Sequence, residues 1–315
     1  MFKLWPVVAI VIFLMGYSHW RGQSAKYSTG NHNIQVQHND GEVLRLIAFG
    51  DYGTGNENQE RVMNLVENIC QQKKIHGILL LGDNIYMDGV KDIHDPKWQN
   101  IIEKPFSKPC ISKLPLYPIL GNHDYKGNPD AQIEYSKVKA NWNFPNRFYS
   151  INFGKLLEVV ALDTNYADVC LDDKECVLDF AYQRIENKNS RWQIAMGHHP
   201  VLGSSSKHSP GVQGALLKPM FCQFDAYLAG HSHHLEHVKP EGCQGEFFIS
   251  GAAGADLYPP KETISESKFA KGVYGVLELT VDSSKIQYDF IDEHGNKIYN
   301  YTNLLIAKRQ GQSTL

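Results

Sequence analysis

Nine side chains of this 315-residue chain, Asp51, Asp83, Tyr86, Asn122, His123, His198, His208, His231 and His233, stand out as candidates to handle metal ions and protons. Their oxygen and nitrogen donors suit hard or borderline cations, and no thiolate is among them. Five short clusters carry all but His208, each opened by a glycine: Gly50, Gly82, Gly121, Gly197 and Gly230. A lone Gly-Asp or Gly-His after an apolar run is ordinarily a turn. Five in succession are hard to explain that way. Without His123 and His208, seven candidate ligands remain, too many for one four-coordinate zinc. They suit two metals sharing a bridging carboxylate, about 3.5–4 Å apart, an arrangement that clamps the attacking and leaving oxygens of in-line phosphoryl transfer. The residues alone therefore point to a two-metal hydrolase, with phosphate esters as the first substrate class.

The elements that must position these groups are legible as apolar runs. LRLIAFGD ends at Asp51, IHGILLLGD at Asp83, LPLYPILGNHD at Asn122 and His123, LLEVVALDT at Asp163, RWQIAMGHH at His198 and FDAYLAGHSH at His231 and His233; GEFFISGAAG closes the series. Such short runs bounded by Gly read as buried strands. Between the first two, Val62, Leu65, Val66 and Ile69 form an i, i+3, i+4, i+7 stripe, which predicts a helix; 179–190 is expected to be another. Strand and helix alternate, so the fold class is α/β. The stretch from Gly272 to Tyr299 alternates by twos and predicts antiparallel strands with turns at Asp282–Ser284 and Gly295. In open α/β sheets ligands gather outside the carboxyl ends of the strands. If these strands run roughly parallel, their polar ends converge on one rim.

Bulk properties exclude other classes. A formal charge of −3 carries no nucleic-acid footprint. GTGNEN (53–58) lacks the last Gly of a dinucleotide fingerprint, GHSHH lacks the final Gly of a serine-hydrolase elbow, and there is no Walker A lysine. Lys3 followed by the apolar run Leu4–Tyr17 reads as a secretory signal with cleavage after Ser18; an uncleaved signal anchor is the alternative and the only route to a membrane. The expected division is a signal segment over 1–23, a polar linker over 24–41, one catalytic domain over 42–308 and a tail over 309–315. Six cysteines in an exported chain imply disulfides. Fifteen pairings are possible; sequential pairing, with Cys170–Cys176 closing a short acidic loop, is the expectation. No CxxC is present, which argues against a zinc knuckle or a thioredoxin-type site.

The set GDYG, GDNIY, GNHD, GHH and GHSH, in this order and over about 43–285, resembles the signature of the metallophosphoesterases. More narrowly it resembles the purple acid phosphatases, especially the small mammalian-type, tartrate-resistant form. Many metallophosphoesterases open with Asp-x-His; here Asp51-Tyr52-Gly53 lacks that histidine, and Tyr86 follows Asp83 by three. Taken alone Tyr86 reads as a core aromatic, but the purple acid phosphatase pattern Gly-Asp-x-x-Tyr makes it a metal ligand. The resemblance implies a sandwich of two mixed β-sheets flanked by helices. It implies Fe(III) on Asp51, Asp83, Tyr86 and His233, and a divalent ion (Fe(II), Zn(II) or Mn(II)) on Asp83, Asn122, His198 and His231, with Asp83 bridging. His123 would contact phosphate or protonate the leaving oxygen. His208 resembles a second active-site histidine, although its flanks, SSSKHSPG, differ from the mammalian pattern.

Metals that lower the pKa of bound water provide hydroxide in mild acid, which attacks phosphorus in line. The implied activity is hydrolysis of phosphomonoesters at acidic pH. The alternative is a phosphodiesterase, nucleotide or phosphoprotein hydrolase on the same site; a catalytically weak phosphate- or metal-binding module on the same fold and a surface-exposed adhesion or redox protein whose iron does the work are the readings from other classes. The implied partner is a small phosphate ester, with no nucleic acid. His199 has no assigned role, and His234 and His237 are expected at the rim or in solvent. Asp124 and Asp163 are expected either to orient a histidine or to make turns. Asn300-Tyr301-Thr302 matches a glycosylation sequon.

Overall fold

The computed structural model describes residues 32–165, 177–260 and 262–305. The expected signal segment, the Cys170–Cys176 pair and the tail lie outside these residues.

The predicted strands form, in two sheets. In the first, β2 (Leu44–Phe49), β3 (Gly77–Leu80) and β4 (Leu116–Pro118) run parallel, and β12 (Gly275–Val281), β13 (Lys285–Asp292) and β14 (Lys297–Leu304) extend the sheet antiparallel, in the order β14-β13-β12-β2-β3-β4. The second sheet contains β1 (Asn33–Val36), β5 (Tyr149–Phe153), β6 (Leu157–Ala161), β7 (Trp192–Gly197), β8 (Ala226–Ala229), β9 (Leu235–Val238), β10 (Glu246–Ser250) and β11 (Ser267–Lys271), in the order β1-β5-β6-β7-β8-β10-β9-β11. Here β6, β7, β8 and β10 are the parallel core. Strands buried on both faces need apolar residues at every position, which is why these runs do not alternate.

One apolar cluster joins the sheets, with Phe49, Leu79 and Leu116 from the first and Val159, Ile194, Leu228 and Phe248 from the second. A second cluster lies between the larger sheet and helices α3 (Val177–Glu186) and α4 (Gly211–Phe221), built from Val160, Ala195, Tyr227, Ala181 and Phe221. Helix α1 (Glu57–Gln72) buries the predicted stripe. Its start is set by Asn56, whose side chain accepts from Gln59 N at 3.0 Å, with Glu57 and Glu60 in the first turn favoured by the helix dipole. A short helix α2 (Pro129–Glu134) follows the Asn122–His123 turn. These observations give the two-sheet α/β sandwich that the resemblance implies.

Two local expectations change. Within 24–41, expected to be a linker, Asn33–Val36 is a strand paired in parallel with β5. Only Ile34 and Val36 pack on the core, so two apolar residues among polar ones read as loop, and the pairing comes from backbone groups. The helix expected over 179–190 runs from 177 to 186; Asn187, Asn189 and Ser190 are poor helix residues.

The disulfides Cys70–Cys110 and Cys222–Cys243 follow the sequential pairing and belong to chemistry of an oxidising compartment. No helix among the described residues is long and apolar enough to cross a membrane.

Candidate metal centre

The sequence puts each candidate residue just beyond a strand, and the backbone there is unusual. Asp51, Asp83 and His231 are the described non-glycine residues with positive φ, at 59°, 51° and 64°. A left-handed backbone costs a non-glycine residue about 1–3 kcal/mol, and such outliers concentrate at functional sites. Here it turns the chain off β2, β3 and β8 immediately after each strand. His231 N donates to Asp51 Oδ2 at 2.7 Å, tying the end of β8 to the end of β2. The preceding glycines are required for want of space: a Cβ on Gly230 would stand 2.7 Å from both Asp51 Oδ2 and the Leu81 carbonyl, and one on Gly121 would overlap Asp83 Oδ1.

The expected single rim is thus a seam between two parallel strand sets. Asp51, Asp83 and Asn122 come from β2, β3 and β4; His198, His231 and His233 come from β7 and β8. At one end of the seam the Tyr86 hydroxyl is 3.1 Å from Asp51 Oδ1 and 3.2 Å from His233 Nε2, and His233 Nε2 is 3.3 Å from Asp51 Oδ1. At the other end His198 Nε2 is 3.2 Å from Asn122 Oδ1 and 3.5 Å from Asp83 Oδ1. Asp51, Asp83, His198 and His233 are buried, while Tyr86, Asn122 and His231 are partly open.

Tautomers follow from the other ring nitrogens. His198 Nδ1 lies 2.8 Å from the Leu81 carbonyl and His233 Nδ1 2.6 Å from the Asp256 carbonyl. A carbonyl only accepts, so both Nδ1 atoms carry hydrogen, and in the neutral ring Nε2 presents a lone pair. Each Nε2 therefore faces oxygen lone pairs. Converging acceptors of this kind need a cation or shared protons between them, and a fixed Nδ1–H is how metal-binding histidines are usually held. The residues fit a metal centre. Two triplets, Asp51–Asp83–His198 and His198–His199–His231, place ligand atoms within 4.8 Å of one another.

The electrostatics of the side chains point the same way. Burial alone would lower the His198 and His233 imidazoles, but Asp83 and Asp51 near His198, and Asp51 beside His233, outweigh it and raise both. Protons there stand where positive charge is wanted. His231 is pushed far down by burial and by the neighbouring imidazoles of His198 and His199, so it is a neutral donor. Burial, reinforced by the charges of Asp51 and Asp83, holds the Tyr86 phenol well above its usual range.

His123 and His208 flank the seam. The His123 ring lies 4.4 Å from that of Tyr86, with Nδ1 2.7 Å from the Met87 carbonyl, and the His123 backbone N–H donates to Asp83 Oδ1 at 2.8 Å. The His208 ring lies 4.2 Å from that of His231. All nine candidates are thus gathered in one place.

Several partners were not foreseen. His199 stands 4.6 Å, ring to ring, from His231, with Nδ1 3.0 Å from Thr164 Oγ1; its sequence mark is the doubled histidine of GHH. Tyr258 stacks on His233 at 4.2 Å, and nothing in the sequence marks it. Asp124 is fully buried and accepts from Gly121 N, Asn84 N, Ile85 N and the Gln132 amide, at 2.7–3.1 Å, so it shapes the loops around Asp83 through their backbone. Its carboxyl is pushed up to about 7, first by burial and then by Asp83. Asp163 accepts from Asn165 in a turn. Backbone carbonyls orient His198 and His233. His234 and His237, expected at the rim or in solvent, are fully buried, each against a carboxylate: Glu236 at 2.8 Å and Glu246 at 3.0 Å. These carboxylates lie in neighbouring strands, which compensates burial of the imidazoles.

A sandwich of two mixed sheets with a buried Asp–His centre on the seam is the architecture of a metallophosphoesterase. The sequence profile of the calcineurin-like phosphoesterases matches residues 44–235, and the chain belongs to that family. Within it the chain groups with the purple acid phosphatases. It is 34% identical over 247 residues to tartrate-resistant acid phosphatase type 5 of Homo sapiens, covering 70% of this chain and 75% of that one. Among solved structures, GAP50, the anchor in the inner membrane complex of Plasmodium, superposes with a TM-score of 0.74 at 20% identity, over 85% of this chain and 90% of that one. Purple acid phosphatase PPD1 from yellow lupin seeds superposes with a TM-score of 0.64 at 18% identity, over 83% of this chain and 53% of that one. At such identities the superpositions speak for the fold. The chain is a phosphoester hydrolase of the metallophosphoesterase type.

Proposed function

We propose that this hydrolase is an acid phosphatase, acting on phosphomonoesters at an Fe(III)–M(II) pair in which M is Fe(II), Zn(II) or Mn(II). Asp51, Asp83, Tyr86 and His233 would hold Fe(III), and Asp83, Asn122, His198 and His231 the divalent ion, with Asp83 serving both. The observation that carries this reading is the Tyr86 hydroxyl, 3.1 Å from Asp51 Oδ1 and 3.2 Å from His233 Nε2. Burial and two carboxylates oppose its ionisation, so a phenolate there calls for a cation of high charge. When bound, the two ions supply Lewis acidity toward the phosphoryl oxygens and lower the pKa of water in the site.

The protein's own groups do the rest. Three anionic side chains against a trivalent and a divalent ion leave roughly +2 on the centre, which attracts an anionic phosphate. Water attacks phosphorus opposite the leaving oxygen, releasing inorganic phosphate and the alcohol. In its imidazolium form His123, with Nδ1 directed at the Met87 carbonyl at 2.7 Å, gives its Nε2 proton to that oxygen. His208, beside His231, contacts the phosphate. The imidazoles of His198 and His233 stay in one tautomer because the carbonyls of Leu81 and Asp256 accept from Nδ1. The disulfides and the apolar N-terminus support export, with a small phosphate ester as the substrate.

The test is turnover of phenyl phosphate between pH 4 and 8 with metal analysis of the same sample. About two ions per active chain are expected. Full activity with one ion or none overturns the reading.

A further inference from the structure

Glu236, in β9, is a fully buried carboxylate placed where two functional segments meet. Its Oε2 accepts from Ser204 N at 2.9 Å and its Oε1 from the Ser204 hydroxyl at 2.6 Å, while Oε2 also lies 2.8 Å from His234 Nε2. Ser204 Oγ in turn accepts from Ile264 N at 3.0 Å. A Cβ on Gly203 would stand 2.6 Å from Ile249 Cδ1 and 3.3 Å from Glu236 Oε2, so the chain passes close against β9 and β10 here. Burial opposes the charge on Glu236, yet the donors from His234 and Ser204 hold its carboxyl below the usual range. A buried charge satisfied on both oxygens is an anchor of defined direction.

The anchored chain leads straight to the mouth of the centre. Ser205 Oγ accepts from Lys207 N at 3.3 Å and from His208 N at 3.1 Å. The His208 ring then lies 4.2 Å from that of His231, and Lys207 Nζ lies 3.5 Å over the ring of Tyr258, which stacks on His233. On the other side of Glu236, His234 directly follows the turn that carries His231 and His233.

We infer that Glu236 is a positioning residue for phosphoester hydrolysis: by holding Ser204 it fixes the loop that sets His208 over the centre, and through His234 it ties that loop to the His231–His233 turn. The inference rests on the reading of His208 as a group that contacts substrate. A plain stabilising role would lower Tm without acting through His208.

Four proteins separate these cases: wild type, Ser204→Ala, His208→Ala and the double variant, assayed on phenyl phosphate with metal content and Tm recorded. Ser204→Ala keeps Glu236 and the backbone contact. It is expected to lower kcat/KM about tenfold, as a misplaced group does, with metal content unchanged. The loss should divide between kcat and KM as the larger loss in His208→Ala does. In the His208→Ala background the same change should alter kcat/KM less than about twofold. Glu236→Gln, which retains volume but cannot accept on both atoms, should follow Ser204→Ala. Equal losses from Ser204→Ala in both backgrounds, or none in either, overturn the inference while leaving the phosphatase reading intact. An unimpaired His208→Ala enzyme overturns the role of His208 and the inference together. Absence of phosphoester hydrolysis by the wild type overturns the functional reading itself.

Discussion

The Tyr86 hydroxyl stands 3.1 Å from Asp51 Oδ1 although 35 positions separate the two residues. Tyr86 follows β3 and Asp51 follows β2, and the same hydroxyl reaches His233 beyond β8 in the other sheet at 3.2 Å. A phenolate bound to Fe(III) absorbs visible light through charge transfer. Tyr86→Phe removes the oxygen and keeps the ring, so if Tyr86 holds Fe(III) as proposed, the wild type should show such a band and the purified variant should lack it, with circular dichroism unchanged. An intact band would assign the colour to another ligand.

Asn122 and His231 serve the divalent position in the proposed centre. Asn122→Ala or His231→Ala should lower kcat by about 100-fold or more and reduce bound divalent metal, with melting still cooperative. Steady-state kinetics and metal analysis on the same preparations check this. Unchanged turnover in either variant removes that residue from the centre.

Gly121 has no room for a side chain, because a Cβ there would overlap Asp83 Oδ1. Gly121→Ala should displace the Asp83 carboxylate. Overpacking of this kind costs about 1–3 kcal/mol, and metal content should fall with stability. Calorimetry and metal counting test both effects; a stable, fully loaded Gly121→Ala enzyme would show that the turn relaxes.

Away from the centre, Glu246 accepts from Tyr301 at 2.6 Å and pairs with Lys239 at 2.7 Å and His237 at 3.0 Å. Burial would raise its carboxyl, but the bonds from His237, Lys239 and Tyr301 bring it below the ordinary value of 4.5. A depressed acid contributes stability above its unfolded pKa and loses it as pH falls through the folded value. Glu246→Gln should therefore flatten the acid limb of stability below about pH 4.5 and lower stability at neutral pH, as denaturant titrations at several pH values would show.

Chelation should destabilise the fold as well as stop turnover. An ion at about 100-fold above its Kd contributes ~2.7 kcal/mol to the folded state, and the lone-pair clusters at His198 and His233 lose their partner when it leaves. Tm should drop on dialysis against chelator and recover on adding iron with a divalent ion. A Tm indifferent to metal would place the ions outside the folded centre.

Much of this was legible in the chain. The apolar runs, the glycine and donor at the end of each, and the order of the five blocks determine the parallel strands, the ligand types and the family. These are local properties, since a strand buried on both faces must be apolar throughout and a turn after it needs Gly or a short polar residue. The tertiary structure decided what depends on contacts distant in sequence. It divided the strands between two sheets and made the rim a seam joined by Asp51 to His231 and Tyr86 to His233. It brought Ile34 and Val36 into a strand that looked like linker, buried His234 and His237 against Glu236 and Glu246, and set Tyr258 on His233. The type of a residue reports what it can bind, whereas its partner is set by which strand ends the packed core brings face to face, and periodicity along one chain carries no record of that.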